Sequence, residues 1–250
     1  MPLTEWGWQV TPEEIASWVI HDDPDVLVIN KPGLVVCHPS KHGPWSSLIG
    51  ACREYLGVER LHMPSRLDRE TSGVVVFAKN TEAASVMQKA IQFRNVAKTY
   101  FAILRGELDQ TIEVDQPIGQ HPSAEVVMRR AIVAEGQAAQ TRFEPIHSAN
   151  GFTLAKVQPH TGRMHQIRVH AEWLGHPIVG DKIYGGDETI FLRFIAAGLT
   201  PELNQELELP RHALHASSLS FDLPSGLRVF DAPFPSDLRE FCARHQLRLP

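Results

Sequence analysis

Apolar positions along this chain change period several times, and the changes mark out its elements. Val26-Leu27-Val28-Ile29 is an unbroken apolar run closed by Lys31-Pro32-Gly33, the pattern of a buried strand. Ser46 to Leu56 carries helical spacing, and Val74 to Ala78 is a second buried strand. A helix is predicted from an N-cap at Thr81, with Glu82 behind it, to about Phe93. Tyr100 to Leu104 returns as a strand. The middle third alternates with period two over Thr111 to Val114, Val126 to Val133, Thr141 to Ile146 and Phe152 to Val157. Gly136 and Asn150-Gly151 supply turns, and Asn150-Gly151 is the clearest hairpin signal. From Arg163 to Leu174 the spacing turns helical, stopped by Gly175 and Pro177. Gly198 to Pro210 reads as an acidic loop.

Before the first strand, Trp6, Trp8 and Trp18 surround Thr11-Pro12-Glu13-Glu14, which reads as an arm ending in a short capped helix. The expected organisation is an arm over 1–20 and one large domain, or two closely joined halves, over 21–250. Strands interleaved with a few helices, without regular alternation, indicate an α+β fold.

With 250 residues, 43% hydrophobic and 21% charged, the chain can bury a sizeable core. It carries no apolar run long enough to span a bilayer and no secretory leader pattern, so a cytoplasmic location is expected. Cys37, Cys52 and Cys242 are odd in number and scattered, which argues for reduced structural thiols. The net charge of −5 hides an uneven distribution. Arg60 to Arg105 holds eight Lys or Arg against three acids, while Asp181 to Glu208 holds six acids against two bases. A basic surface on an acidic body suits an anionic partner.

The most informative segment is Arg66-Leu67-Asp68-Arg69-Glu70-Thr71-Ser72-Gly73, feeding straight into the strand from Val74. It sets one carboxylate between two guanidinium groups, which favour its ionised form and suit a nucleophile or a transition-state stabiliser. Further along come Lys98-Thr99-Tyr100-Phe101-Ala102 and the run His160-Thr161-Gly162-Arg163-Met164-His165-Gln166-Ile167-Arg168-Val169-His170. In this order the three blocks resemble the RLDxxTSG, KxYxA and TGRxHQIRxH motifs of the RluA-type pseudouridine synthases. The likeness extends to Asn30-Lys31-Pro32-Gly33, to His176-Pro177-Ile178-Val179-Gly180-Asp181, to Tyr184-Gly185 and to Leu214-His215-Ala216, covering nearly the whole chain from about residue 21. Two departures stand out. Ser65 occupies the place of a His before Arg66, and the stretch from Lys31 to Pro39 drops one residue after the proline and gains one at Cys37.

The resemblance implies a pseudouridine synthase catalytic fold, with a mixed, mostly antiparallel central sheet flanked by helices and an active-site cleft between two halves. It implies isomerisation of uridine to pseudouridine in structured RNA, with no metal and no other cofactor. Asp68 would be the catalytic carboxylate, attacking the sugar or assisting proton chemistry there, on a nucleotide taken out of its stack. Arg66 would fill the place that the extruded nucleotide leaves. Tyr100, on a predicted strand, would stack on the uracil and carry a proton, while Phe101 points to the opposite face and into the core. Helical geometry puts Met164, Ile167, Ala171 and Leu174 on one face, with Arg168 about 40° to 80° beyond its edge. An Arg168–Asp68 ion pair is therefore expected, with Ile167 walling the uracil pocket. Lys98, Arg163 and Arg94 are candidate phosphate contacts, His165 a phosphate or backbone contact, and Thr71 a further substrate-binding position.

The expected partner is tRNA or ribosomal RNA, bound by a monomer away from membranes. Twenty residues before the core are too few for an S4-type RNA-binding domain, which tilts the expectation toward a compact target such as a tRNA stem-loop. Two rival readings are an RNA-binding or RNA-folding module without turnover, suggested by Ser65 and the acidic balance, and a metal-dependent nucleotide hydrolase, suggested by 13 histidines. The five-residue spacing of His160, His165 and His170 turns successive side chains about 140° apart on a helix, which does not converge on one ion.

Overall fold

The computed structural model describes residues 3–4, 7–38, 43–187 and 189–249. Trp6 and Pro39, named above, lie outside them. The chain divides into two compact units, the first made of residues 1–98 and 216–234, the second of 99–215 and 235–250.

In the first unit a short ladder joins β1 (Leu3–Thr4) to β2 (Gly7–Trp8). Helix α1 (Pro12–Trp18) begins at a capping box in which Thr11 accepts from the Glu14 amide and Glu14 from the Thr11 amide. Its Ile15 is fully buried with Leu27, Ile29, Leu48 and Phe77, so α1 belongs to a core cluster of this unit. Strands β3 (Val19–Asp22), β4 (Val26–Lys31) and β5 (Ser72–Ala78) pair antiparallel, with Ile29 opposite Val75. All seven residues of β5 are buried, which is why the sequence reads there as a run and not as an alternation. Helix α2 (Leu48–Leu56) is capped by Ser47 and closed by left-handed Gly57. Helix α3 (Thr81–Gln92) is capped by Asn80, one residue before the Thr81 expected from the sequence, and buries Ala84, Met87 and Ala90.

Strand β6 (Val96–Arg105) starts in the first unit and runs on into the second. There it pairs antiparallel with β11 (Phe152–Pro159), which pairs with β10 (Gln140–Ala149), which pairs with β7 (Ile112–Asp115). Asn150 and Gly151, at φ 53° and 79°, link Ala149 to its partner Phe152 in a two-residue hairpin. A separate ladder joins β8 (Ile118–Gln120) to β9 (Arg130–Ile132). The strand expected from Val126 is shorter than the alternation suggests, because Val126 to Arg129 form a turn closed by Arg129 N donating to Val126 O at 2.8 Å.

Helix α4 (Gln166–Trp173) starts three residues later than expected, since His165 sits at φ 57°. Helices α5 (Thr189–Ala197) and α6 (Pro201–Leu207) follow. The acidic stretch read as a loop is therefore partly helical: Thr200 caps α6 and Pro201 opens it, a start signal outweighed by the charge of the segment. Strand β12 (Leu214–Leu223) returns to the first unit, pairs with β13 (Gly226–Asp231), and α7 (Ser236–Arg244) ends the second unit. The fold is α+β, and every ladder named here is antiparallel.

The entry to β5 is a tight backbone approach in the first unit. Gly73 has φ +114°, and a Cβ there would lie 2.1 Å from the Ala216 carbonyl oxygen. Gly73→Ala is expected to cost ~3 kcal/mol or more in urea unfolding. Gly151→Ala, at φ +79° with open space around it, should cost only ~1–2 kcal/mol.

Candidate active site

Asp68 lies in the loop that delivers the chain to β5, and a lysine fixes that loop. Lys31, at the end of β4, is fully buried, and its ammonium donates to the carbonyls of Pro32, Val35 and Arg69, each at 2.9 Å. A buried cation is tolerated only where such acceptors replace water. These three tie the backbone beside Asp68 to the turn after β4. Thr71 N donates to Asp68 O at 3.2 Å, and Thr71 and Ser72 are buried.

The Asp68 side chain is half-buried, while Arg66 and Arg69 are exposed. Arg69 Nε donates to Leu34 O at 3.2 Å. Behind the loop lies Cys37, whose thiol is pushed up by burial, against Lys31, a bond from the Leu67 amide and Arg66; the charge of Asp68 adds to the upward push. The residue that marks the departure from the family pattern thus backs the carboxylate loop. Arg94 is exposed just past α3 at φ 62°. Lys98, half-buried on β6, has its ammonium pushed down by burial.

The second unit positions Tyr100 and the third block. Tyr100 is half-buried on β6 opposite Val157. Phe101 is also half-buried, and the core on this strand begins at Ala102, Ile103 and Leu104. Between β11 and α4 the loop is held by Gln166, to which the sequence assigned no role. Its side-chain oxygen accepts from Thr161 Oγ1 at 2.7 Å and Arg163 N at 3.0 Å, and its nitrogen donates to Gln140 O and Thr141 Oγ1, both at 2.9 Å. This bridge fixes Arg163 and Met164 outside the helix, where both are exposed. Of the expected apolar face, only Ile167 and Ala171 are buried on α4.

Arg168 is buried and gripped by Asp181, Nε to Oδ2 at 2.6 Å and Nη2 to Oδ1 at 2.8 Å. Asp181 Oδ1 also accepts the amides of Ile183 and Tyr184, at 2.9 and 3.1 Å. Burial alone would raise the Asp181 carboxyl; the Arg168 charge, its hydrogen bonds and the two amides outweigh it and hold the group below its usual value. Tyr184 packs its ring under Arg168 at 4.9 Å and shares a 2.8 Å hydrogen bond between its hydroxyl and His165 Nδ1. The second unit thus gives Arg168 a carboxylate partner that periodicity did not reveal, although Asp181 and Tyr184 stand in the segments quoted for the family likeness. Close by, His212 is fully buried and held well below the ordinary histidine value, first by burial and then by Arg168, Arg211, Lys182 and His165.

The histidines of the third block go separate ways. His160 lies 3.8 Å from Glu113, His165 meets Tyr184, and His170 bonds Thr141 Oγ1 at 2.9 Å and Gln116 O at 3.1 Å. Among the described residues no group of three or more His, Cys, Asp or Glu is placed to hold a metal ion. Nor is any helix among them long and apolar enough to cross a membrane.

Comparison with known proteins gives a consistent answer. The family described as RNA pseudouridylate synthase matches residues 25–173. The ribosomal large subunit pseudouridine synthase D of Vibrio vulnificus is 35% identical over 243 residues, covering 94% of this chain and 72% of that protein. The uncharacterized RNA pseudouridine synthase YjbO of Bacillus subtilis is also 35% identical, covering 90% of this chain and 75% of its own. Among solved structures, human RNA pseudouridylate synthase domain containing 4 superposes with a TM-score of 0.75 at 25% identity, covering 96% of this chain and 97% of that one.

Two tests address the buried charges of the second unit. Asp181→Asn leaves Arg168 without its anionic partner and should cost ~3 kcal/mol in urea unfolding. Because the folded values of His212 and Asp181 are depressed, their stability contributions are present above the unfolded values of about 6.5 and 3.8 and are lost as pH falls below each. Denaturation followed against pH should show a decline beginning below pH 6.5 that is reduced in His212→Asn, the remainder coming from His170, whose imidazole burial also pushes down.

Proposed function

The chain belongs to the RNA pseudouridylate synthase family, and we propose that Asp68 is the carboxylate with which it works. The reaction, isomerisation of uridine to pseudouridine in RNA, breaks the bond from the sugar C1′ to N1, turns the uracil and joins C1′ to C5. The proton leaves C5 and N1 ends protonated, so atoms and electrons balance without a cofactor. Asp68 acts at the sugar, either by attack at C1′ or by proton chemistry beside it, on a nucleotide flipped out of its stack. The observation that carries this assignment is the half-buried Asp68 on a loop held by the buried Lys31 ammonium. A catalytic carboxylate needs a fixed direction and an open face together.

In this reading Tyr100 stacks on the uracil and handles the C5 proton. Arg168 serves as the electrostatic partner of the Asp68 carboxylate. Ile167 walls the base, Arg66 takes the vacated place in the RNA, and Lys98, Arg94, Arg163 and His165 contact the backbone around the target. The relatives named for the ribosomal large subunit point to large-subunit rRNA as the substrate, ahead of the tRNA stem-loop suggested by the sequence. A monomer acting in the cytoplasm fits that substrate.

Purified variants incubated with a transcript of large-subunit rRNA test these roles. Asp68→Asn should form no pseudouridine while its affinity for the transcript stays within about threefold of wild type. Tyr100→Phe should retain the affinity and lose ~10² or more in turnover. Substantial product from Asp68→Asn would remove that residue from the chemistry, and a wild-type rate in Tyr100→Phe would confine the ring to packing.

A further inference from the structure

A pocket of about 360 Å³ lies in the second unit among β8, β9, the turn that follows β9 and the loop before α4. Its floor is backbone. A Cβ on Gly119 would lie 2.4 Å from Val133 Cγ2, and one on Gly136 would lie 2.7 Å from the Ile118 carbonyl carbon. Reciprocal bonds between Ile118 and Gln137, at 2.9 and 2.8 Å, lock that floor. Neither glycine has room for a side chain.

The walls are polar and cationic. Arg130 donates through one guanidinium nitrogen to the Gln120 side-chain oxygen and through another to Met164 Sδ at 3.3 Å, while its amide donates to the Tyr184 hydroxyl at 3.0 Å. Arg163 Nε donates to Ala138 O at 3.1 Å. Both guanidinium groups are thus held in place by neutral acceptors, and among the described residues neither pairs with a carboxylate. Such groups keep their charge for a ligand, and a planar guanidinium beside a polarisable thioether is a surface on which a base stacks. Glu135, which also lines the pocket, offers a carboxylate acceptor for an amino group of the ligand and disfavours a bare anion.

We propose that this pocket binds a second, unpaired nucleotide of the RNA substrate, with its base against Arg130 and Met164 and its phosphate on Arg163. The proposal rests on the chain acting on RNA. The volume falls within the ~300–1,000 Å³ of sites that enclose small ligands, and sequence recognition in RNA works chiefly through unpaired bases stacked and read at their edges. Arg163, Met164 and Arg168 share one short segment of chain, and Tyr184 touches both the Arg130 amide and the Arg168 face. The pocket is therefore a specificity site, coupled to the arginine assigned to Asp68 and separate from the target uracil.

Two readouts test it. Methionine-methyl NMR of the full chain, with five methionines and Met164 assigned by its loss in Met164→Leu, is titrated with the four nucleoside 5′-monophosphates and with inorganic phosphate. The Met164 signal should move with nucleotides and not with phosphate; no movement, or an equal response to phosphate, overturns the proposal. In parallel, Arg130→Gln is assayed on the large-subunit rRNA transcript, and KM should rise about tenfold with kcat within twofold. An unchanged KM overturns the proposal while leaving the isomerase reading intact. If wild type forms no pseudouridine on that transcript, the substrate assignment fails, and the Met164 titration decides the pocket by itself.

Discussion

A buried ammonium bonded to three carbonyls is the constraint on which the Asp68 loop depends. Lys31 joins the end of β4, the turn after it and the residue next to Asp68, although those segments are 38 residues apart at the extreme. Desolvating a lysine costs several kcal/mol unless its protons are all taken up, so the geometry of the three carbonyls and the charge require one another. Gly73 adds a steric condition at the loop's exit, where the backbone presses against the Ala216 carbonyl. Between these two points the loop has little freedom, and a carboxylate there is oriented before any substrate arrives.

The second unit solves a related problem with different chemistry. Its buried Arg168 is met by a bidentate carboxylate and a tyrosine face, and a neutral histidine sits beside it. Gln166 then fixes the loop before α4, using both ends of its amide. Rotamer freedom is removed from each of these side chains by partners outside the reacting groups, which is how a site keeps its geometry without help from the substrate.

Much of this was legible in the sequence, for reasons that particular residues show. Asn150-Gly151 and the β5 run declare a hairpin and a buried strand because their conformational demands are local. The three motifs pointed to the chemistry through their resemblance to the RluA-type pseudouridine synthases. Lys31, Gln166 and Asp181 were quoted or passed over without a role, since a residue that works by bonding distant carbonyls or guanidinium groups leaves no periodic mark. The same limit explains the boundaries that moved. His165 stops α4 from starting at Arg163 through a positive φ that its identity does not announce, and Val126 to Arg129 break a plausible alternation with a turn closed by backbone bonds. Charge misled once, at α6, where Thr200 and Pro201 carried a helix start inside an acidic stretch.

The claim that joins these parts is that Asp68 performs the isomerisation. Its most direct test is a transcriptome-wide pseudouridine map in source cells whose only copy of this chain is wild type or Asp68→Asn. The account predicts the loss of one or a few sites, within large-subunit rRNA, in the mutant alone. A map unchanged by the substitution, with the variant protein present at wild-type level, would contradict it.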